Sequence, residues 1–470
     1  MRLSTLSLLA VILIGAALRF AALGADVRFH VDEALFATFA RNAAVNGDWM
    51  LSGALDKPPL SLYASALAMH FTGVHVNASG VLDLDLKAGE FAARLPGALA
   101  GIVTIALTYA LARRLKAGRR AAVGAAALTA FSPLLVGVSP TAFTDPLLLM
   151  FGLAAGGAAA AGRAAASGLL LALAVASKQQ GVFVIPLAVA LLWTAASGRR
   201  QRTLTAFTAA LAAGVAVLLA WDAARPETSV FALASANNDP QRLLPDAAEL
   251  LPRLVAWLDV LGAGFGTVWL ALGLLAAALV GMWRSRRLAI IGAYAALYFA
   301  AHWLLPFNLY DRYLLPLIPL TAVAAAAGLD TLPRRAFVPA LTALCVLLLA
   351  AQAPFPQDNR WRDDNVIALA DTVNAHPLGT IVYDHWSGWH LGYYLGVWSD
   401  KRRVYYPDPD IQAQDALRNP ERAPRLLVAP REVDAAPWLD ALRAAGFEVW
   451  LEYENPRFRL YGLLSPASGA

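Results

Sequence analysis

The chain has 470 residues, of which 59% are hydrophobic and only 15% charged, with a formal net charge of +5 and a single cysteine. Soluble domains are roughly 25% charged, so these figures exclude a soluble fold of this size, a disordered chain and a disulfide scaffold. They leave a polytopic α-helical membrane protein. The basic residues form no patch suited to nucleic acid; they fall in short hinges between apolar runs.

A hydrocarbon core about 30 Å thick needs about 20 helical residues. Taken in chain order, apolar runs cover 3–23, 95–112, 120–138, 146–162, 167–177, 181–196, 203–221, 262–283, 288–305, 313–329 and 336–353, about eleven spans. The first follows Arg2 and ends in small residues, as a signal peptide does, but its length and the spans behind it favour a retained helix. The run 167–177 is too short to cross by itself, and with SKQQG and 181–196 it reads as a pair dipping toward one face. Cys345 lies within the last run, as a packing residue.

The hinges set the orientation. Arg113, Arg114, Lys116, Arg119 and Arg120, then Arg163, then Arg199, Arg200 and Arg202, then Arg284, Arg286 and Arg287, then Arg334 and Arg335 mark alternate loops that are nearly free of acid, hence cytoplasmic. The opposite loops, 24–94, 139–145, 222–261, 306–312 and the tail from 354, hold nearly all the carboxylates. The tail alone has 16 of the 33. Chemistry is therefore expected on the outer face, away from nucleotide sugars, and neither GxxxxGK[ST] nor a strand-associated GxGxxG occurs. In the tail, strand-like TIVYD and PRLLVAP alternate with helix-like NVIALADTVNAH and AAPWLDALRAAGF. The expected organisation is a membrane domain over 1–353, with 24–94 as its first outer loop, and a small soluble α/β domain over 354–470.

Few residues can carry chemistry. Asp32 and Glu33 begin a helix-like segment, Ala34–Ala43, patterned to lie along the interface; they read either as a general base and its partner or, for Asp32, as a helix cap. Asp145, in SPTAFTDP, is the only acidic residue between Glu90 and Asp222 and reads either as a cap or as a functional group at a bundle mouth. Lys57 in LDKPPL, Lys178 in ASKQQG and Arg312 in NLYDRYLLPLIPL either snorkel to headgroups or converge as a phosphate site. Lys178 is the most informative, since the positive-inside pattern puts it on the outer side. His385 and His390, with the aromatics of YDHWSGWHLGYYLGVW, match no metal-ligand spacing, and those aromatics read as core or interfacial belt, or as sugar-stacking rings. Divalent metal has no support in the ligand spacings.

The segments VDEALFATFARNAAVNGDW, DKPPL, AFTDP, ASKQQG and DRYLLPLIPL, in this order, resemble the protein O-mannosyltransferases and the lipid A aminoarabinose transferases, which are C-type glycosyltransferases dependent on polyprenyl-phosphate sugars. The likeness covers about residues 1–330. It implies the C-type glycosyltransferase fold and, at the outer face of the bacterial inner membrane, inverting transfer of a sugar from a polyprenyl-phosphate donor to a lipid, protein or polysaccharide acceptor. Carried over by motif, Asp32, Glu33 and Asp145 are the catalytic acids, and Lys57, Lys178 and Arg312 face the donor phosphate. His30 and Tyr313 are candidate acceptor or sugar contacts. Where the aminoarabinose transferases have DETRY this chain has DEALF, with Leu35 and Phe36 in place of arginine and tyrosine, which argues against lipid A phosphate as acceptor. The competing readings are an oligosaccharyltransferase or polymer ligase and a lipid or sugar transporter; acids gathered on one face and halves without symmetry count against transport.

Overall fold

In a computed structural model the described residues are 3–196, 198–238, 242, 244–352, 362–418 and 424–466. The expected domain boundary at 353/354 lies outside them. The chain forms two compact units, one of Met1–Ala25, Met50–Ser65 and Ala93–Gln357, the other of Asp26–Trp49, Ala66–Ala92 and Asp358–Ala470. Most of the first outer loop thus groups with the tail.

The first unit is helical. Among the described residues four helices are long and apolar enough to cross a membrane: Thr5–Leu23, Leu86–Arg114, Arg200–Ala224 and Arg286–Leu304. The pair Ala247–Gly264 and Val268–Arg284, bent by 84° at a short break, makes a fifth if taken as one span. Asp145–Ala160, Ala164–Ser177, Gln179–Ala195 and Leu317–Leu329 are apolar but shorter. The run 120–138 is split into Arg119–Phe131 and Pro133–Val138, because Pro133 offers no N–H to continue the hydrogen-bond ladder. Helix packing relies on small residues. A Cβ on Gly328 would run into the Ala277 carbonyl oxygen, and one on Gly281 into that of Ala324, so Val268–Arg284 and Leu317–Leu329 meet backbone to backbone.

The second unit contains a five-stranded mixed sheet in the order Arg402–Val404, Ile381–Asp384, Arg425–Pro430, Phe458–Leu464, Glu448–Glu454. The first three strands are parallel; the last two join antiparallel. Ile381–Asp384 and Arg425–Pro430 are buried at every position, as interior parallel strands are, whereas the edge strand Glu448–Glu454 is largely exposed. Helix Val31–Asn46 packs in this unit against the short helix Trp389–Tyr394. Phe39 lies 5.3 Å from Trp389, Phe29 meets Tyr393 edge-on at 4.8 Å, and Arg41 donates to the Tyr393 carbonyl at 2.5 Å. The interfacial placement expected for Ala34–Ala43 is corrected here: Ala34, Phe36, Ala37, Phe39, Ala40 and Ala43 are all buried in protein. The aromatics of 385–398 divide likewise, with Tyr393 and Tyr394 in the interior and Trp398 exposed.

Candidate active site

In the first unit three chain segments converge on one charged cluster. Asp145 opens helix Asp145–Ala160, followed by Pro146, and lies where a carboxylate favours the positive end of the helix dipole. It does not spend its side chain on capping. It accepts a 2.7 Å hydrogen bond from Lys178 Nζ, and both residues are only 4% exposed. Lys178 stands in extended conformation between helix Ala164–Ser177 and the 3-10 turn Gln179–Val184, a break that aims its side chain at Asp145 rather than along a helix face. Arg312 Nε lies 3.8 Å from the other Asp145 oxygen, its guanidinium stacked over Phe143 and Tyr310 at 4.5 and 4.8 Å. Tyr313 places its ring 5.1 Å from the Lys178 ammonium, and Tyr298 fixes the backbone there by donating to the Tyr313 carbonyl at 2.7 Å.

Lys57 joins the cluster electrostatically. It pairs with Asp56, whose carbonyl accepts from Gln179 Nε2 at 2.5 Å, tying the LDKPPL loop to the residue after Lys178. Three cations, Lys57, Lys178 and Arg312, thus lie together with the carboxylates Asp56 and Asp145. A small cavity beside them is lined by Asp145, Gln180, Tyr298, Arg312 and Tyr313. It shares Leu148, Leu149 and Pro316 with an apolar cavity that runs on to Gly152, Val184, Leu187 and Leu320. The charged cluster thus sits at the end of a narrow apolar cavity. Asp56, Gln180 and Tyr298 were not expected from the sequence; Asp56 adjoins Lys57 and could have been flagged, but nothing in a linear reading singles out a glutamine or a tyrosine inside apolar runs.

Asp32, Glu33 and His30 belong to the second unit. His30, not Asp32, caps helix Val31–Asn46: its Nδ1 accepts from the Asp32 N–H at 3.1 Å, and Glu33 returns the capping box by accepting from the His30 N–H at 2.9 Å. The capping reading of Asp32 is therefore corrected, and its half-buried side chain occupies the first turn without that duty. Glu33 is fully buried and lies 3.4 Å from Arg362. Beneath this turn, burial holds the His390 imidazole neutral, its pKa pushed down to about 4 despite a hydrogen bond with the Phe29 backbone. Arg28, also missed, is buried with Glu90 at 3.0 Å and Asp364 at 3.2 Å. Among the described residues no three His, Cys, Asp or Glu side chains gather to hold a metal ion.

A family model described as dolichyl-phosphate-mannose-protein mannosyltransferase matches residues 56–221, a segment that contains Lys57, Asp145 and Lys178. The fold is similar to that of ArnT from Cupriavidus metallidurans, solved bound to undecaprenyl phosphate, with a TM-score of 0.65 at 16% identity and 97% of each chain covered. The chain resembles the C-type glycosyltransferases. The C-type likeness extends to the Archaeoglobus fulgidus oligosaccharyltransferase, solved with Zn and sulfate (TM-score 0.57, 13% identity, covering 98% of this chain and 73% of that one). It extends also to the arabinofuranosyltransferase AftD from Mycobacteria (TM-score 0.52, 16% identity), of which the chain covers 42% while 98% of its own length is matched. No curated protein matches the chain by sequence.

Proposed function

We propose that the chain is a multi-pass membrane glycosyltransferase that takes a sugar from a polyprenyl-phosphate donor and passes it to an acceptor hydroxyl or phosphate at the outer face of the inner membrane. The observation that carries this reading is the buried Asp145–Lys178–Arg312 cluster at the head of an apolar cavity. A phosphate held there would accept hydrogen bonds from Lys178 and Arg312, and the first part of its isoprenoid chain would lie against the leucine and valine side chains beside them. On this reading the roughly eleven apolar runs are membrane passages and the sheet-containing unit is a soluble outer module.

In the proposed step an acceptor oxygen attacks the anomeric carbon. The bond from that carbon to the lipid phosphate oxygen breaks with its electron pair on the phosphate, and the acceptor proton passes to Asp32; attack opposite the leaving group inverts the anomeric centre. Lys57, Lys178 and Arg312 stabilise the charge that builds on the departing phosphate. Asp145 orients Lys178 and Arg312, and Glu33 holds the turn that bears Asp32. His30 and Tyr313 are assigned to the acceptor or sugar. Purified protein in lipid, supplied with polyprenyl-phosphate sugars and extracts of envelope acceptors, is expected to form a new glycosidic bond, and Asp32→Asn to lower kcat by about 100-fold or more. Movement of sugar across a liposome membrane with no new bond would overturn the proposal in favour of transport.

A further inference from the structure

Three of the four segments that deliver a cation or carboxylate to the cluster, those of Lys57, Asp145 and Arg312, are preceded by helix ends or irregular backbone with polar groups to satisfy. A buried or half-buried arginine from elsewhere in the unit answers each. Arg225 donates to the carbonyls of Met50, Leu51 and Gly53 at 3.1, 2.8 and 2.9 Å, four residues before Lys57. The backbone it grips includes Leu51 at φ +54, a left-handed conformation that a leucine adopts only when held. Arg19, with no solvent exposure, donates to the Ala130 carbonyl at 3.1 Å and to Ser139 Oγ at 3.2 Å, six residues before Asp145. Ala130 lies at the end of the helix that Pro133 interrupts, and Ser139 at the end of the next, so the negative ends of two helix dipoles face the Arg19 guanidinium. Glycines close this contact: a Cβ on Gly97 would lie 2.6 Å from the Ser139 and Thr141 carbonyl oxygens. Arg253 donates to the carbonyls of His302, Trp303, Leu305 and Phe307 at 3.1, 3.2, 2.6 and 3.1 Å, five residues before Arg312.

We propose that Arg19, Arg225 and Arg253 are positioning residues, three clamps that each fix one loop and through it one member of the phosphate cluster: Asp145, Lys57 and Arg312 respectively, Arg225 and Arg253 through loop carbonyls and Arg19 through the Ser139 hydroxyl and the Ala130 carbonyl. A guanidinium presents five donors in a rigid fork, so one side chain can satisfy several divergent carbonyls at once, which an ammonium on a flexible stem cannot do in the same geometry. The apolar setting makes this matter, because a carbonyl without water or a donor is costly and the loop would otherwise move until it found one. The inference rests on the phosphate-site reading for its consequence in catalysis, but the clamping itself can be tested without it.

The test has two readouts. In hydrogen exchange on the full-length protein in lipid, Arg225→Lys is expected to speed exchange at least about tenfold in 50–57 only, Arg19→Lys in 139–145 only, and Arg253→Lys in 302–312 only. Unchanged exchange, or a rise spread over the whole unit, overturns the clamps whether or not the protein transfers sugar. In transfer assays each single clamp variant is expected to lose on the order of tenfold in kcat/KM. A matched double, Arg225→Lys with Lys57→Gln or Arg253→Lys with Arg312→Gln, loses little more than the site variant alone, whereas the crossed doubles multiply. Multiplication in matched and crossed pairs alike overturns the assignment as positioning residues. Wild-type protein that transfers no sugar while the loop-specific exchange holds overturns the glycosyltransferase reading and leaves the clamps standing. If Arg19→Lys does not fold, the Arg225 and Arg253 cycles decide.

Discussion

At the scale of single residues, the Asp145–Lys178 pair carries the largest electrostatic stake. Two charges so deeply buried compensate each other, and removing one strands the other in a medium that solvates it poorly. Lys178→Met is expected to destabilise the protein by about 3 kcal/mol, toward the lower end for a buried pair because Arg312 stays at 3.8 Å from Asp145. The double variant Asp145→Asn/Lys178→Met should recover much of that loss, read as the melting temperature in detergent. His30 offers a second test. Its Nδ1 is the acceptor that closes the turn bearing Asp32, so His30→Ala should cost about 1 kcal/mol and lower transfer, while His30→Asn, which can also accept, should cost about a few tenths of that. Lys178 and Asp145 stood out in the linear sequence because each is a charge where charge is scarce. Their partnership did not, since 33 residues separate them, and the clamping arginines were missed because an arginine near an apolar run is ordinarily read by its sidedness.

At the scale of elements, the helix contacts show why composition matters at particular positions. Val268–Arg284 and Leu317–Leu329 approach through Gly281 and Gly328, where even a methyl group meets backbone that cannot give way. Gly328→Ala is accordingly expected to lower stability by about 2 kcal/mol in a thermal melt, with Gly273→Ala, in open space on the same pair, close to neutral. Periodicity and run length placed most of the apolar runs on helices to within a few residues, among them Leu3–Leu23 and Asp145–Ala160. The breaks were harder to see. Ser132–Pro133 was legible from the proline, yet the 120–138 run was still read as one span, because hydrophobicity averages over a single missing hydrogen bond. The helix Val31–Asn46 was given an interfacial face because its pattern is amphipathic, but amphipathicity says only that one side is covered, not by what. Here the cover is the aromatic segment around Trp389 and Tyr393.

At the scale of the whole molecule, the sidedness argument makes a prediction independent of chemistry. Single cysteines placed at the exposed Ala54, three residues before Lys57, and at the exposed Arg200, in the Cys345→Ser background, should be labelled by a membrane-impermeant thiol reagent from opposite faces of sealed vesicles. Labelling from one face would overturn the assignment of the cluster to the outer side. The organisation into units is also a whole-molecule property. Residues 26–49 and 66–92 group with 358–470 although hundreds of positions separate them in the chain, and Arg28, Glu90 and Asp364 show the ion pairing that accompanies the grouping.

The sequence by itself determined the class of protein, the rarity of its charges and their gathering between apolar runs, and therefore a short set of residues able to do chemistry. Those follow from transfer free energies that every residue obeys wherever it lies in the chain. Only the tertiary structure decided which of them meet. It brought Asp145, Lys178, Arg312 and Tyr313 together at the head of an apolar cavity, gave the capping of the acidic helix to His30 rather than Asp32, and set Arg19, Arg225 and Arg253 on loops that no local pattern connects to them. The reason is that hydrogen bonds and ion pairs act over a few ångströms, so their partners are chosen by how the chain folds back on itself and not by neighbours in sequence.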